Sequence, residues 1–459
     1  MAYLSKLYEY AIIGELTVTP LEIALLFIAS VATSSAHPSQ AFAATHPSAT
    51  SPHALQRNSP LNASFERTAL RTEHRPEVTV YGYLPYWVAN PLEADFDSLT
   101  HVAWFSVEVD GDGRLSGTDQ WGSIAPSIVE RAHAVGTRVH LCVSLFDAVE
   151  QDALLNDAPS RARAVTALAE LVHTHDADGV NIDFEGMNAS SRDGLIAFTR
   201  ELKDEVGEVM VALPAIDWRG AYDYDELAHA SDGLFIMAYD YHWRNGDPGP
   251  VAPLTGGDPW STYAIDWTVD DYRTWGTPDD KIIVGLPLYG YEWPTDSDAV
   301  PGTATGPAEA HSMGSILADE SLLDIRYDSL TDTPWAWTGS GQLWYDDPES
   351  LAIKLSWSVS EGVQGVGFWA IGYANADPDF WEMVDGISGA APPDRTDDLT
   401  DTGESVDQTG GGDTAVDTAT PLLESPTGAK GCGCHASGSR SASWWLLSVG
   451  LAVFRRRQN

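Results

Sequence analysis

The run Asp178-Gly179-Val180-Asn181-Ile182-Asp183-Phe184-Glu185 places an acid or an amide at every second position. In an extended strand successive side chains point to opposite faces, so Asn181, Asp183 and Glu185 share one face and Val180, Ile182 and Phe184 the other. Bulky apolar residues between the polar ones point to a strand buried on both sides rather than to a solvated edge. Two acids on one buried face repel, which raises the pKa of one of them towards a value useful for proton donation. Glu185, at the C-terminal end of that face, is the candidate general acid. Competing chemistries find less support. His173-Thr174-His175 closes a helical stretch, where His is common, and lacks partners at metal-ligand spacing. Cys142 lies in an apolar run and reads as a small core residue. No Gly-rich phosphate loop, G-x-S-x-G elbow or G-x-G-x-x-G after a strand is present. Neither a metal nor a cofactor is expected.

The elements that must hold these residues alternate. Short β-branched or aromatic runs at 78–83, 100–107, 138–144, 179–185, 209–214, 233–239, 282–287 and 365–370 read as strands, with helical patterns between them at 160–172, 192–206 and 348–358. Asp347 is a candidate N-cap for the last helix, with Pro348 in its first turn. Eight strands alternating with helices over about 300 residues fit an α/β fold of the (β/α)8 TIM-barrel type, in which catalytic groups sit at the C-terminal strand ends. A doubly wound open sheet is the other arrangement this alternation allows.

The signature resembles that of family 18 glycoside hydrolases, the chitinase family, whose pattern is D-G-x-D-x-D-x-E on the fourth barrel strand. Three further motifs fit in order: Met237-Ala238-Tyr239-Asp240 near the sixth strand, Gly285-Leu286-Pro287-Leu288-Tyr289-Gly290 on the seventh and Gly367-Phe368-Trp369 on the eighth. Tyr241-His242-Trp243, followed by a Pro-rich loop, looks most like the spore-cortex-lytic, peptidoglycan-active branch, with an insertion at about 291–345. The resemblance implies a retaining hydrolase of β-1,4-linked N-acetylglucosamine glycans in which the substrate's own 2-acetamido oxygen is the nucleophile. It implies Glu185 as acid and base, Asp183 as the group orienting the acetamide, and Tyr239 as donor to its oxygen. Asp240 would bind sugar hydroxyls and Trp369 would floor the sugar. Tyr83 and Ser144 match positions that bond the middle acid of the signature, which here is Asn181, an amide unable to share a proton with Asp183. Asp178, Tyr289 and Trp243 complete the expected substrate-binding set. The alternative on the same barrel is a catalytically inactive, chitinase-like carbohydrate-binding protein.

Formal charge over the 459 residues is −42, a poor match to a nucleic-acid partner, because neutralising phosphates takes Lys and Arg. Residues 76–390 alone carry −39, with 53 acidic against 14 basic side chains. The apolar run 21–31, followed by Ala41-Phe42-Ala43, reads as a signal peptide over 1–43. Residues 44–75, rich in Ser, Pro, His and Ala, read as a linker, and 391–431 as an acidic disordered one. The ending 432–459 has Cys432 and Cys434, an apolar stretch and Arg455-Arg456-Arg457, and resembles the C-terminal sorting tails of exported myxobacterial proteins. These features imply an exported, extracellular or surface-attached monomer whose partner is an N-acetylglucosamine-containing polysaccharide.

Overall fold

The computed structural model describes residues 52–61, 63, 78–320, 323–374 and 377–387. The expected leader, acidic linker and sorting tail lie outside the described residues. β1 (Thr79–Pro85) and β2 (His101–Val109) run parallel, and the two-residue β3 (Leu115–Ser116) folds back antiparallel on β2. The sheet continues through β4 (Arg138–Leu145), β5 (Gly179–Phe184), β6 (Val209–Pro214), β7 (Gly233–Met237) and β8 (Ile282–Pro287), each parallel to its neighbour. The chain then leaves the barrel. β9 (Tyr289–Pro294), β10 (Glu309–Ser312), β11 (Asp324–Asp328), β12 (Thr333–Trp337) and β13 (Gly341–Trp344) form a separate antiparallel sheet in the order β10-β9-β13-β12-β11. It returns as β14 (Gly365–Trp369), which pairs with β8 on one side and β1 on the other and closes an eight-stranded TIM barrel.

The outer helices follow from their apolar stripes. Helix Arg192–Val206 buries Leu195, Phe198, Thr199 and Leu202, an i, i+3, i+4, i+7 set, with Ile196 beside it, and Phe198 stacks on Phe184 of β5 with ring centroids 5.6 Å apart. Helix Pro348–Ser360 starts as its sequence dictates: the Asp347 carboxylate accepts from Ser350 N–H and the Ser350 hydroxyl bonds back to the Asp347 N–H, a reciprocal cap.

Two interior features bear on the site. The Phe235 ring occupies space left by Gly285 and Gly367, where an added Cβ would stand 2.4 and 2.5 Å from the ring. Phe235 in turn meets Tyr83 at 4.9 Å, so an aromatic layer supports the site from below. At the N-terminal end, Glu208 faces His101 at 3.4 Å, His140 at 3.1 Å and Arg138 at 2.5 Å, and the Tyr81 hydroxyl meets His140 Nδ1 at 3.0 Å. Burial pushes the Glu208 carboxyl up, but the two imidazoles outweigh burial and hold it well below the usual range.

Candidate active site

β5 delivers the signature as its alternation requires. Val180, Ile182 and Phe184 pack outward, while Asn181 and Asp183, both fully buried, face the barrel axis opposite Cys142 and Ser144 of β4. Glu185 follows directly on β5 and is 5% exposed. Its position is fixed through the backbone: Gln151 Nε2 donates to the Glu185 carbonyl at 2.8 Å and to Leu145 O at 2.6 Å, and the Tyr222 hydroxyl donates to Phe184 O at 2.9 Å. Gly186 then turns the chain away with φ at 70°, a conformation glycine adopts without steric cost.

Tyr239 and Asp240 leave β7 at the same mouth. Burial, with Glu185 and Asp183 nearby, pushes the Tyr239 phenol well above its ordinary value, so it remains a hydrogen-bond donor. Asp240 holds a left-handed backbone (φ 59°), and its carboxylate accepts from Tyr289 and, at 3.2 Å, from Tyr291. Burial raises its pKa to about 7 against the opposing pull of those two hydroxyls. Tyr291 is a site residue that the motif reading missed. It lies two residues beyond Tyr289 on the same face of β9, so the inserted sheet contributes directly to this mouth. Trp369, fully buried at the end of β14, forms the floor, flanked edge-on by Phe105 at 4.8 Å and Tyr83 at 5.4 Å.

Tyr83 donates to Asn181 Oδ1 at 3.0 Å. Ser144 does not join it: its hydroxyl pairs with Ser106 at 2.8 Å, beside a register shift in β2 between Trp104 and Val107. Asp178 is also corrected. It precedes β5, seven residues or about 23 Å of strand from Glu185, and its Oδ2 accepts from Val139 N–H at 2.7 Å and meets His133 Nε2 at 2.8 Å. It braces the opposite end of the barrel. Trp243 is half-buried on the loop after β7, with its ring against Gly246.

The linker expected over 44–75 holds a helix at Pro52–Asn58 (α1), and α1 enters this mouth. His53 is fully buried, with Nδ1 2.7 Å from Asp183 Oδ2, Nε2 2.6 Å from the Tyr239 hydroxyl and its ring stacked on Trp369 at 3.6 Å. Gln56 Oε1 accepts from Trp369 Nε1 at 2.6 Å. Nothing in the residue pattern of this segment announces the contact.

A family model described as "Glycosyl hydrolases family 18" matches residues 79–374, from the first barrel strand to the turn after the last. The chain belongs to that family. Among curated family relatives, a Bacillus subtilis protein named as a sporulation-specific glycosylase is 29% identical over 240 residues, covering 48% of this chain and 52% of that one. A cortical fragment-lytic enzyme, also from Bacillus subtilis, is 23% identical over 300 residues, covering 60% and 65%. The chain therefore spans between about half and two thirds of the length of these relatives. A family 18 chitinase from Cycas revoluta, solved with (GlcNAc)3, superposes with a TM-score of 0.61 over 68% of this chain and all of that one, at 17% identity, a likeness that bears on the fold alone.

Proposed function

We propose that this protein is a retaining glycosidase that hydrolyses β-1,4-linked N-acetylglucosamine glycans, chitin or peptidoglycan, with the substrate's acetamide as nucleophile. One observation carries the reading. Asp183, an acceptor, and the Tyr239 hydroxyl, a donor, bracket a group whose two heteroatoms are separated by a single carbon, beside Glu185 and over the face of Trp369. An acetamido group has that layout: its N–H meets Asp183 and its oxygen meets Tyr239.

In this reading Glu185 protonates the glycosidic oxygen as the acetamide oxygen attacks the anomeric carbon, and the aglycone departs. The Asp183 carboxylate balances the cationic oxazolinium. The Glu185 carboxylate then takes a proton from water, which attacks the same carbon, reopens the ring and restores the configuration. The mechanism therefore departs from the two-carboxylate scheme of most glycosidases. Asp240, Tyr289 and Tyr291 offer polar contacts to sugar hydroxyls at the rim. An apolar run followed by Ala41-Phe42-Ala43 supports export to where such polymers lie.

The test is digestion of purified peptidoglycan and of N-acetylglucosamine oligomers, with mass analysis of product ends. New reducing ends on N-acetylglucosamine residues are expected, and products from neither polymer at saturating substrate would contradict the reading.

A further inference from the structure

We propose that α1 is an intrachain inhibitor: residues 52–58 occupy the sugar position, and the site turns over glycan only when this segment withdraws. The inference rests on the glycosidase reading above. With Nδ1 protonated and Nε2 bare, the tautomer its partners select, the His53 ring donates to Asp183 and accepts from Tyr239, as an acetamide would. Like an acetamide, an imidazole has one carbon between its two heteroatoms, so both partners are satisfied without rearrangement. The ring also covers Trp369, the surface on which a sugar would stack. Glu185 Oε1 is 3.5 Å from the same Nδ1, so the imidazole blocks the acid together with the groups that bind the substrate.

The rest of α1 holds His53 in place. Gln56, one turn on and on the same face, is 3% exposed and takes the Trp369 indole N–H. Arg57 pairs with Glu108 of β2 at 3.0 Å and lies over the Phe146 ring at 4.9 Å, which clamps the helix to the rim. Farther along, the Ala63 carbonyl accepts from Ala89 N–H at 3.0 Å. A seven-residue helix has little stability of its own. Its order comes from these barrel contacts, so weakening them should release it. Because the segment is covalently tethered, it competes with substrate at the millimolar effective concentration of a short linker. Apparent affinity for glycan falls in proportion to the fraction of open molecules.

The experiment uses the full chain and N-acetylglucosamine tetramer, with KM and kcat measured for wild type, H53A/Q56A, R57E and R57E/E108R, and amide hydrogen exchange followed over 53–58. Expected for H53A/Q56A is a KM at least about tenfold lower with kcat at saturation unchanged, together with loss of exchange protection over 53–58. R57E should move KM part of the way, and adding E108R, which restores the ion pair in reverse, should bring it back. Equal KM across active variants, or a wild-type segment exchanging as freely as an open chain, would overturn the inhibitor and leave the glycosidase standing. Failure of every variant to cleave or bind the tetramer would remove the glycosidase reading and the inhibitor with it.

Discussion

Glu185, buried, and Asp240, half-buried, are carboxyl groups at one mouth, and they answer to different tests. Glu185→Gln keeps the shape and removes the proton, so kcat on an N-acetylglucosamine oligomer should fall by at least about 10²–10⁴ while the melting temperature holds. Near wild-type turnover would refute its role. Asp240 reads out through stability. Its folded pKa of about 7 lies above the usual carboxylate value, so the folded state holds the proton more tightly than the unfolded chain. The stability this confers is fully present below the unfolded value and is lost as pH rises through about 7. Asp240→Asn keeps an acceptor for Tyr289, turns an amide N–H towards Tyr291, and does not titrate. Its unfolding free energy should therefore rise relative to that of wild type, the variant becoming the comparatively more stable protein, by a few kcal/mol from pH 4 to pH 8. A difference independent of pH would show that Asp240 ionises normally. Asn181 is the departure from the family pattern: Tyr83 satisfies its oxygen, and its Nδ2 has no hydrogen-bond partner among the described residues.

At the scale of elements, the eight barrel strands were legible because each is a short run of β-branched or aromatic residues, and the period-two signature told which face of β5 turns inward. Tyr291 was legible in principle, at i+2 from Tyr289. The placement of Ser144 was not, because the irregularity in β2 brings Ser106 beside it and neither strand's own pattern encodes that. α1 was least legible. Its composition is that of a linker, and its contacts span 130 residues to Asp183 and 186 to Tyr239, so its order is a tertiary effect. The opposite end of the barrel supplies its own test. Glu208, held ionised by His101 and His140 and paired with Arg138, ties β2 and β4 to the start of β6. Glu208→Gln should lower unfolding free energy by about 1–3 kcal/mol at pH 7. Because the carboxyl is held below its usual value, the deficit should shrink as pH falls below about 4. Denaturant unfolding of both proteins at pH 7 and pH 3.5 checks this, and equal midpoints at pH 7 would contradict it.

Across the whole molecule, charge and tether set the behaviour. With 53 acids and 14 bases over residues 76–390, single pairings leave most carboxylates without a cation, and the domain repels itself. Screening shortens the reach of that repulsion from about 30 Å at 0.01 M salt to about 3 Å at 1 M. The melting temperature should therefore rise with NaCl at fixed pH, most steeply at the low-salt end. A flat or falling curve would mean that the acids are offset within the fold. The central claim, that the substrate's acetamide is the nucleophile at Glu185, Asp183 and Tyr239, has one direct test. Proton NMR of the first products formed from N-acetylglucosamine tetramer by the full-length H53A/Q56A variant reports their anomeric configuration, with glucose tetramer as the comparison. The account predicts β-anomers first and no cleavage of the glucose tetramer; α-anomers first, or comparable cleavage of both tetramers, would contradict it.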